Sequence, residues 1–355
     1  MNNKHVKVAL VGCGGVANVH AFSWLHIAGA KLIAVCDINE ELGKEFQNKY
    51  SAEKFYSNYE DLLLDPSIEL IDLCTPPKLH KEQIIKAFDS NKHVLVEKPL
   101  VMDMTEMEEV LDKFKKSNVK FCVVHNQRFE RSIIDAKNKI ENNEIGEVVG
   151  VDIFWQDTPK GDRFVRDKNN WCHNLPGGRW EEVMPHYIYL ARYFVGEMQL
   201  ENASLSGVLP DYPWMISSDA NITLVGLRNP TFVNLRFTQR SNAGKQIIIT
   251  IYGTDGHLYI ERHRHAISEM KVKLYNQKYS ALYIVNYNYY KSIFDKTKTK
   301  IPQSPFLGTT EQLRQYIDAI LLNTPPPVPI DEAYDVMKLA REIGDCLNKK
   351  RLKEC

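Results

Sequence analysis

Long apolar runs, an excess of either charge and paired cysteines are what this sequence lacks. No apolar stretch approaches 18 residues, and no charged segment with an apolar core precedes the first strand-like run. Neither a membrane span nor a secretory leader is therefore expected. Lys plus Arg and Asp plus Glu both number 45, so the formal net charge is zero. Bulk electrostatics offer nothing to a nucleic acid or a membrane surface, and neither is expected as a partner. The seven cysteines (Cys13, Cys36, Cys74, Cys122, Cys172, Cys346, Cys355) show no CxxC spacing. Four of them fall in strand-like runs or in the turns after them, as buried reduced thiols do, rather than as a disulfide framework or zinc site. His263-Arg264-His265 and Cys172-His173 lack partners at a usable spacing, so no metal is expected. Together these absences point to the cytoplasm.

What is present is a globular balance of 44% hydrophobic and 25% charged residues over 355 positions, enough for two cores. An apolar run over Val6–Val11 leads into Gly12-Cys13-Gly14-Gly15-Val16-Ala17, a G-x-G-x-x-A pattern between a strand and a helix. Gly12 permits the tight turn, Gly14 lets a pyrophosphate approach the backbone, and Ala17 keeps the helix close to the sheet. The helix start offers N–H groups and partial positive charge to phosphates. The next strand-like run ends in Asp37, 25 residues after Gly12, where a carboxylate suits the ribose hydroxyls of NAD and repels a 2′-phosphate. NAD is thus expected in preference to NADP.

Strand-like and helical segments then alternate to about Val124, which argues for a doubly wound parallel sheet. Right-handed crossovers bring Gly14, Asp37, Thr75 and Lys98 to one edge. The run Val94-Leu95-Val96 ends in Glu97-Lys98-Pro99, and proline terminates the strand. A lysine there points into the crevice where open α/β sheets bind ligands, or it is an ordinary solvated strand end. His80, early in a helix, reads equally as a surface histidine.

Beyond residue 125 the pattern changes. An amphipathic helix over 131–142 is followed by β-rich segments at 148–155, 220–227, 231–238, 246–252, 257–261 and 271–275, with turn signals between them. Strand following strand implies a largely antiparallel sheet, one face of which can remain open as a subunit interface. The tyrosine-rich run from Tyr275 to Tyr290 reads as sheet, interface or flap. Arg163, Arg166, Trp171, Arg179 and Trp180 gather cations and aromatics suited to a sugar carrying an acid or phosphate, or to a loop pinned by its tryptophans. Helices are expected over 309–322 and about 331–348, with Asp331 as N-cap of the second and nothing past Lys349 requiring order.

The combination Gly12-x-Gly-Gly-x-Ala with His20, Thr75-Pro76-Pro77-x-x-His80, Glu97-Lys98-Pro99, Arg128-Phe129, Ile145-Gly146-Glu147-Val148 and Gly253-Thr254-Asp255-Gly256 resembles the glucose–fructose oxidoreductase/inositol dehydrogenase (Gfo/Idh/MocA) family. The resemblance implies a Rossmann domain over 1–124 and a substrate and oligomerisation domain over 125–355, built on a large, mostly antiparallel open sheet. The C-terminal helices could pack back on the first domain. It also implies hydride transfer between NAD(P) and a hydroxyl or keto carbon of a sugar, cyclitol or sugar derivative, with homodimers or homotetramers joined through the open sheet face. On this reading Gly12, Gly14, Gly15, Val16, Ala17, Asp37, Thr75, Pro76, His80, Glu97 and Lys98 line the cofactor. Arg128, Trp171 and Arg179 meet substrate. Lys98 and His186 are catalytic, with Glu182 orienting the imidazole. Glu182 stands where the family has Asp, and Pro185 interrupts the spacing, because proline in a helix interior costs ~3 kcal/mol. A redox-neutral epimerase or eliminase that retains its NAD, and an NAD-binding regulator without catalysis, are the alternatives on the same scaffold.

Overall fold

The computed structural model describes residues 5–263, 271–276, 283–286 and 307–354. The chain divides into two compact units, Met1–Glu130 with Phe306–Met337, and Arg131–Pro305 with Lys338–Cys355. Among the described residues no helix is long and apolar enough to cross a membrane. The expectation for Tyr275–Tyr290 falls largely outside the described residues, as do Arg264, His265 and Cys355.

The first unit is a six-stranded sheet of β1 (Val6–Val11), β2 (Ala30–Cys36), β3 (Lys54–Tyr56), β4 (Leu70–Leu73), β5 (His93–Val96) and β6 (Phe121–Val123). Its order is β3-β2-β1-β4-β5-β6 and every neighbouring pair is parallel. Parallel strands covered on both faces need continuous apolar runs, and the whole of β4 is buried. The direction of strand addition reverses between β1 and β4, which sets the ligand-binding edge just beyond their carboxyl ends. Helices α1 (Ala17–Trp24), α2 (Glu40–Tyr50), α3 (Tyr59–Leu63), α4 (His80–Asp89) and α5 (Met104–Lys115) carry the chain back between strands. Asn39 and Asp103 cap α2 and α5, their side-chain oxygens accepting from Leu42 N and Glu106 N. Strand β3 was not foreseen. It is three half-buried residues at the sheet edge, too short to carry a period.

Helix α10 (Leu307–Leu321) belongs to this unit. Its Gln312 accepts from His125 N at 2.9 Å and donates to Val123 O at 2.6 Å. The Tyr316 hydroxyl lies 2.9 Å from Val94 O and 2.7 Å from Lys120 O. Two side chains of this helix thus bond the backbone along β5 and β6 and tie the helix to that edge of the sheet. Helix α11 (Ile330–Glu354) corrects two expectations. Ala333 N donates to Pro329 O, so Asp331 stands inside the first turn rather than at the cap, where its charge still favours the helix dipole. The helix also continues past Lys349.

The second unit opens with α6 (Arg131–Glu141) and builds an eight-stranded sheet from β7 (Val148–Gln156), β8 (Met198–Ser206), β9 (Asp219–Gly226), β10 (Phe232–Thr238), β11 (Gln246–Gly253), β12 (Gly256–His263), β13 (Lys271–Asn276) and β14 (Tyr283–Asn286). The order is β14-β13-β12-β11-β7-β10-β9-β8, and only the β7–β10 pair is parallel. Alternation is clear in β9, β10 and β11, whose every second residue is buried. Trp155 and Phe237 from that buried face meet Trp180 and Tyr187, which lie on α8 (Gly178–Val183) and α9 (Pro185–Val195). Strand β8 escaped the sequence reading because only Ala203 along it is buried.

Candidate active site

The glycine-rich turn after β1 is built by sterics. Gly12 has φ +89° and donates its N–H to Cys36 O at 2.8 Å. A Cβ at Gly12 would stand 3.0 Å from the carbonyl carbon and oxygen of Cys74, so both the backbone angle and the space exclude a side chain. At Gly14 a Cβ would have nothing within 4 Å. Gly14 and Gly15 are exposed, Val16 is half-buried, and Ala17 is buried where α1 begins. Val16 has no polar side chain to cap α1, so the helix start presents its N–H groups toward the open side of the turn. A diphosphate fits this feature.

Asp37, at the end of β2, accepts from Cys13 N at 2.7 Å through Oδ2 and from Asn39 N at 2.8 Å through Oδ1. Two backbone donors fix the carboxylate, and each oxygen retains a lone pair for a ribose hydroxyl. Across the switch point Thr75 is half-buried and donates to Gln83 Oε1 at 2.6 Å, while Pro76 is exposed. His80 is fully buried. Its Nε2 lies 2.9 Å from Thr75 O, and its Nδ1 lies 3.1 Å from Pro99 O and Leu100 O. Burial pushes its pKa down. The imidazole therefore ties the loop after β4 to the loop after β5, so of the two readings of His80 the surface one does not hold.

Beyond β5, Glu97 N extends the ladder to Leu73 O at 3.0 Å. Glu97 Oε2 accepts from Lys98 N at 3.0 Å, and the Lys98–Pro99 peptide is cis. Lys98 is half-buried, two residues past the strand. Glu97 Oε1 lies 3.1 Å from Nε2 of His20, whose Nδ1 lies 2.9 Å from Asp72 Oδ2. Burial works to raise the Glu97 pKa, but hydrogen bonding and charge from His20, with Lys98 beside it, hold it below the usual range.

Arg128, in the short turn after β6, donates Nη1 to both carboxylate oxygens of Glu332 at 2.6 and 2.7 Å. Burial opposes the charge on Glu332, yet His125 and Arg128 hold its pKa at about 2.

In the second unit, the glycine turn at Gly177–Gly178 opens α8. Arg179 is 5% exposed; its Nε donates to Asp162 Oδ2 at 2.8 Å and its Nη1 to Glu182 Oε2. Gln239 Nε2 also donates to Asp162 at 2.8 Å. The guanidinium lies over Trp155 and Phe164. Burial disfavours the cation, but Glu182 and Asp162 raise its pKa. Arg179 thus holds two protein carboxylates inside its unit, and one of them is Glu182.

Pro185 is accommodated at a helix start. Met184 keeps helical angles (φ −57°, ψ −38°) between α8 and α9, and Pro185 takes the first turn of α9, where its missing N–H costs nothing. Between Gly177 and Ala191 every residue is buried except His186. Its Nδ1 lies 2.8 Å from the Tyr189 hydroxyl. Trp171, at the start of a 3₁₀ turn over Trp171–Asn174, is half-buried.

Asp72, Asp162, Tyr189 and Glu332 were missed by sequence reasoning. Only Asp72 carried a visible signal, a lone carboxylate inside the apolar run Leu70–Leu73. The others sit in unremarkable contexts, and their partners are fixed by the tertiary fold.

Comparison with known proteins meets this geometry from outside. The model for the oxidoreductase family with an NAD-binding Rossmann fold (GFO_IDH_MocA) matches residues 6–125, and the model for the GFO/IDH/MocA C-terminal domain matches residues 133–259. The chain is 25% identical to myo-inositol 2-dehydrogenase of Thermotoga maritima over 299 residues, 83% of this chain and 87% of that one. It is 27% identical to scyllo-inositol 2-dehydrogenase (NAD(+)) of Bacillus subtilis over 266 residues, 73% of this chain and 75% of that one. An oxidoreductase from Agrobacterium radiobacter, solved in complex with NAD+, L-tartaric acid and magnesium, superposes with a TM-score of 0.82 at 16% identity over 97% of this chain and 96% of that one. With both family models matched in order along one chain, and a nucleotide-ready turn where the first of them lies, the protein belongs to the GFO/IDH/MocA family of oxidoreductases.

Proposed function

We propose that this protein transfers a hydride between NAD and a hydroxyl or keto carbon of a sugar or cyclitol. The observation that carries the reading is the carboxyl edge of the first sheet, where the open turn at Gly14, the carboxylate of Asp37 and the ammonium-bearing Lys98 follow β1, β2 and β5. Bound NAD supplies the nicotinamide that accepts or returns the hydride. Gly12, Gly14, Gly15, Val16 and Ala17 hold its diphosphate at the start of α1. Asp37 takes the ribose hydroxyls and disfavours a 2′-phosphate, so NAD is preferred to NADP. Thr75 and Pro76 line the same edge, and His80 and Glu97 fix the two loops around it.

Lys98 hydrogen-bonds the reacting oxygen and stabilises the negative charge that grows as the hydroxyl proton leaves. His186 takes that proton through Nε2, its ring set by Tyr189 on Nδ1. Glu182 acts at one remove, holding Arg179 and with it the start of α8. Arg128 and Trp171 are the side chains assigned to substrate hydroxyls. The inositol dehydrogenases among the relatives favour a cyclitol or sugar. The thiols of Cys13, Cys36, Cys74, Cys122 and Cys346 suit a reducing, cytoplasmic setting. Homodimers or homotetramers form through the open face of the second sheet.

The test combines a thermal-shift screen with one substitution. NAD+, NADP+ and a panel of inositols, sugars and uronic acids are screened first, since a ligand of the native state raises the melting temperature. Lys98→Met is then expected to lower turnover of the selected polyol by about 10²–10⁴-fold, the range for a group acting on the transferred proton or its charge, while NAD+ still shifts the melting temperature. Turnover retained in this variant removes Lys98 from the chemistry.

A further inference from the structure

Asp72 occupies the interior of β4, paired with Leu10 of β1 on one side and Leu95 of β5 on the other, with no exposed surface. A carboxylate at such a place is heavily penalised unless charge and hydrogen bonds answer it. Trp24 Nε1 donates to its Oδ2 at 2.7 Å, and His20 Nδ1 lies 3.0 Å from Oδ1 and 2.9 Å from Oδ2. The other ring nitrogen of His20 faces Glu97 Oε1 at 3.1 Å. Ionised carboxylates only accept hydrogen bonds, so both ring nitrogens must donate, and only the imidazolium does that. Burial disfavours the cation, but the charge of Asp72 outweighs it and raises the His20 pKa well above the ordinary value. The groups facing the ring are Asp72 and Cys74 from β4 and the turn after it, and Glu97 from the loop after β5. The Cys74 thiol is pushed up to about 12 by burial and by Asp72, and stays protonated. His20, Asp72 and Cys74 stand at a metal-ligand spacing, yet their atoms are already joined through protons.

We propose that His20 is a positioning residue for Lys98: its imidazolium clamps the Glu97 carboxylate between the ring and the Lys98 N–H, and so fixes the turn that presents the lysine. The chain runs from Asp72 through His20 and Glu97 to the Lys98 backbone across two strands and α1. Because His20 lies on the helix that begins at the glycine-rich turn, one side chain sets the lysine's turn relative to the nucleotide-binding edge. The inference rests on the assignment of Lys98 to the reacting oxygen.

Two measurements test it. In ¹⁵N-histidine-labelled protein saturated with NAD+, the resonances lost in His20→Gln identify this ring. Both of its N–H protons are expected to persist from about pH 6 to about pH 8, across the range where an ordinary histidine gives one up. Loss of either below about pH 8 overturns the clamp whatever the substrate. In the second, NADH formation from the polyol selected by thermal shift is compared in His20→Gln, Glu97→Gln, the double variant and Lys98→Met. Misplacing a reacting group by about 1 Å costs on the order of 10²-fold, so His20→Gln should lower kcat by about that factor with KM for NAD+ little changed. The double variant should lose no more than the worse single, since the two act through one path. Wild-type kcat in His20→Gln beside an inactive Lys98→Met sinks the positioning role. An active Lys98→Met sinks the assignment of the lysine instead.

Discussion

A single side chain can serve the fold and the ligand at once, and Asp37 does both. Its two oxygens already hold Cys13 N and Asn39 N, which keep the glycine-rich turn and the start of α2 in place. A ribose would add further donors to a carboxylate that needs no reorganisation to receive them. Hydrogen bonds to a charged acceptor contribute about 1.5–3 kcal/mol, so Asp37→Ala should weaken NAD+ binding by on the order of 10–100-fold. NADP+ binding should fall less or rise, because a repelling charge has gone. Titration calorimetry with both cofactors checks this, and an unchanged preference refutes the ribose assignment. At this scale the sequence was legible where the partner is local. Gly12 and Ala17 could be read from a six-residue pattern, and Asp37 from its distance along the chain. Asp72 and His20 lie 52 residues apart and Arg179 and Asp162 lie 17 apart, so nothing in their neighbourhoods announces the pairing.

Elements are joined by a few buried polar contacts, and one of these titrates in an accessible range. Glu181 on α8 accepts from Gly177 N at 2.8 Å and lies 3.2 Å from Arg341 on α11, with Asp345 nearby. Burial, reinforced by Asp345, lifts its pKa from 4.5 to about 7. The folded state therefore holds this proton more tightly than the unfolded chain does. Its contribution to stability is complete below about pH 4.5 and is lost as pH rises through about 7. Each pKa unit corresponds to about 1.4 kcal/mol, so the loss is on the order of 3 kcal/mol at most. Glu181→Gln keeps the shape and the acceptor for Gly177 N but removes the titration. Its melting temperature should decline less than the parent's between about pH 5 and about pH 8. Parallel curves for the two proteins would show that Glu181 has an ordinary pKa. Element types were readable wherever one face is buried, as in β9 to β11. They failed at β3, β8 and the start of α11, where too few residues are buried or where Pro329 rather than a polar side chain begins the helix.

For the molecule as a whole, the second sheet poses a question of association that its own strands define. One side of β7, β10 and β11 carries Val151, Ile153, Trp155, Val233, Leu235, Phe237, Ile247, Ile249 and Ile251, all buried. On the other side, cross-strand partners Phe154 and Ile248 remain half-buried, Arg236 lies over the Phe154 ring, and Phe232 and Tyr252 are 55% and 40% exposed. Polar pairs lie beside them: Asn234 donates to Asp152 at 3.0 Å, and Gln156 donates to Gln246 at 3.0 Å. An apolar centre with a satisfied polar surround is the composition of a protein–protein interface. Ile248 is the test position because it lies mid-strand on this side and outside the buried set. A glutamate there, facing a second copy of the sheet, would be desolvated without a partner, and the hot spots that cluster at an interface centre cost about 2 kcal/mol or more. Each 1.4 kcal/mol is about tenfold in dissociation constant. Light scattering after size exclusion should find the parent at two or four chain masses and Ile248→Glu shifted toward one, with unfolding still cooperative. A parent that elutes as a single chain, or a variant that keeps the parent's mass, removes this face from the assembly.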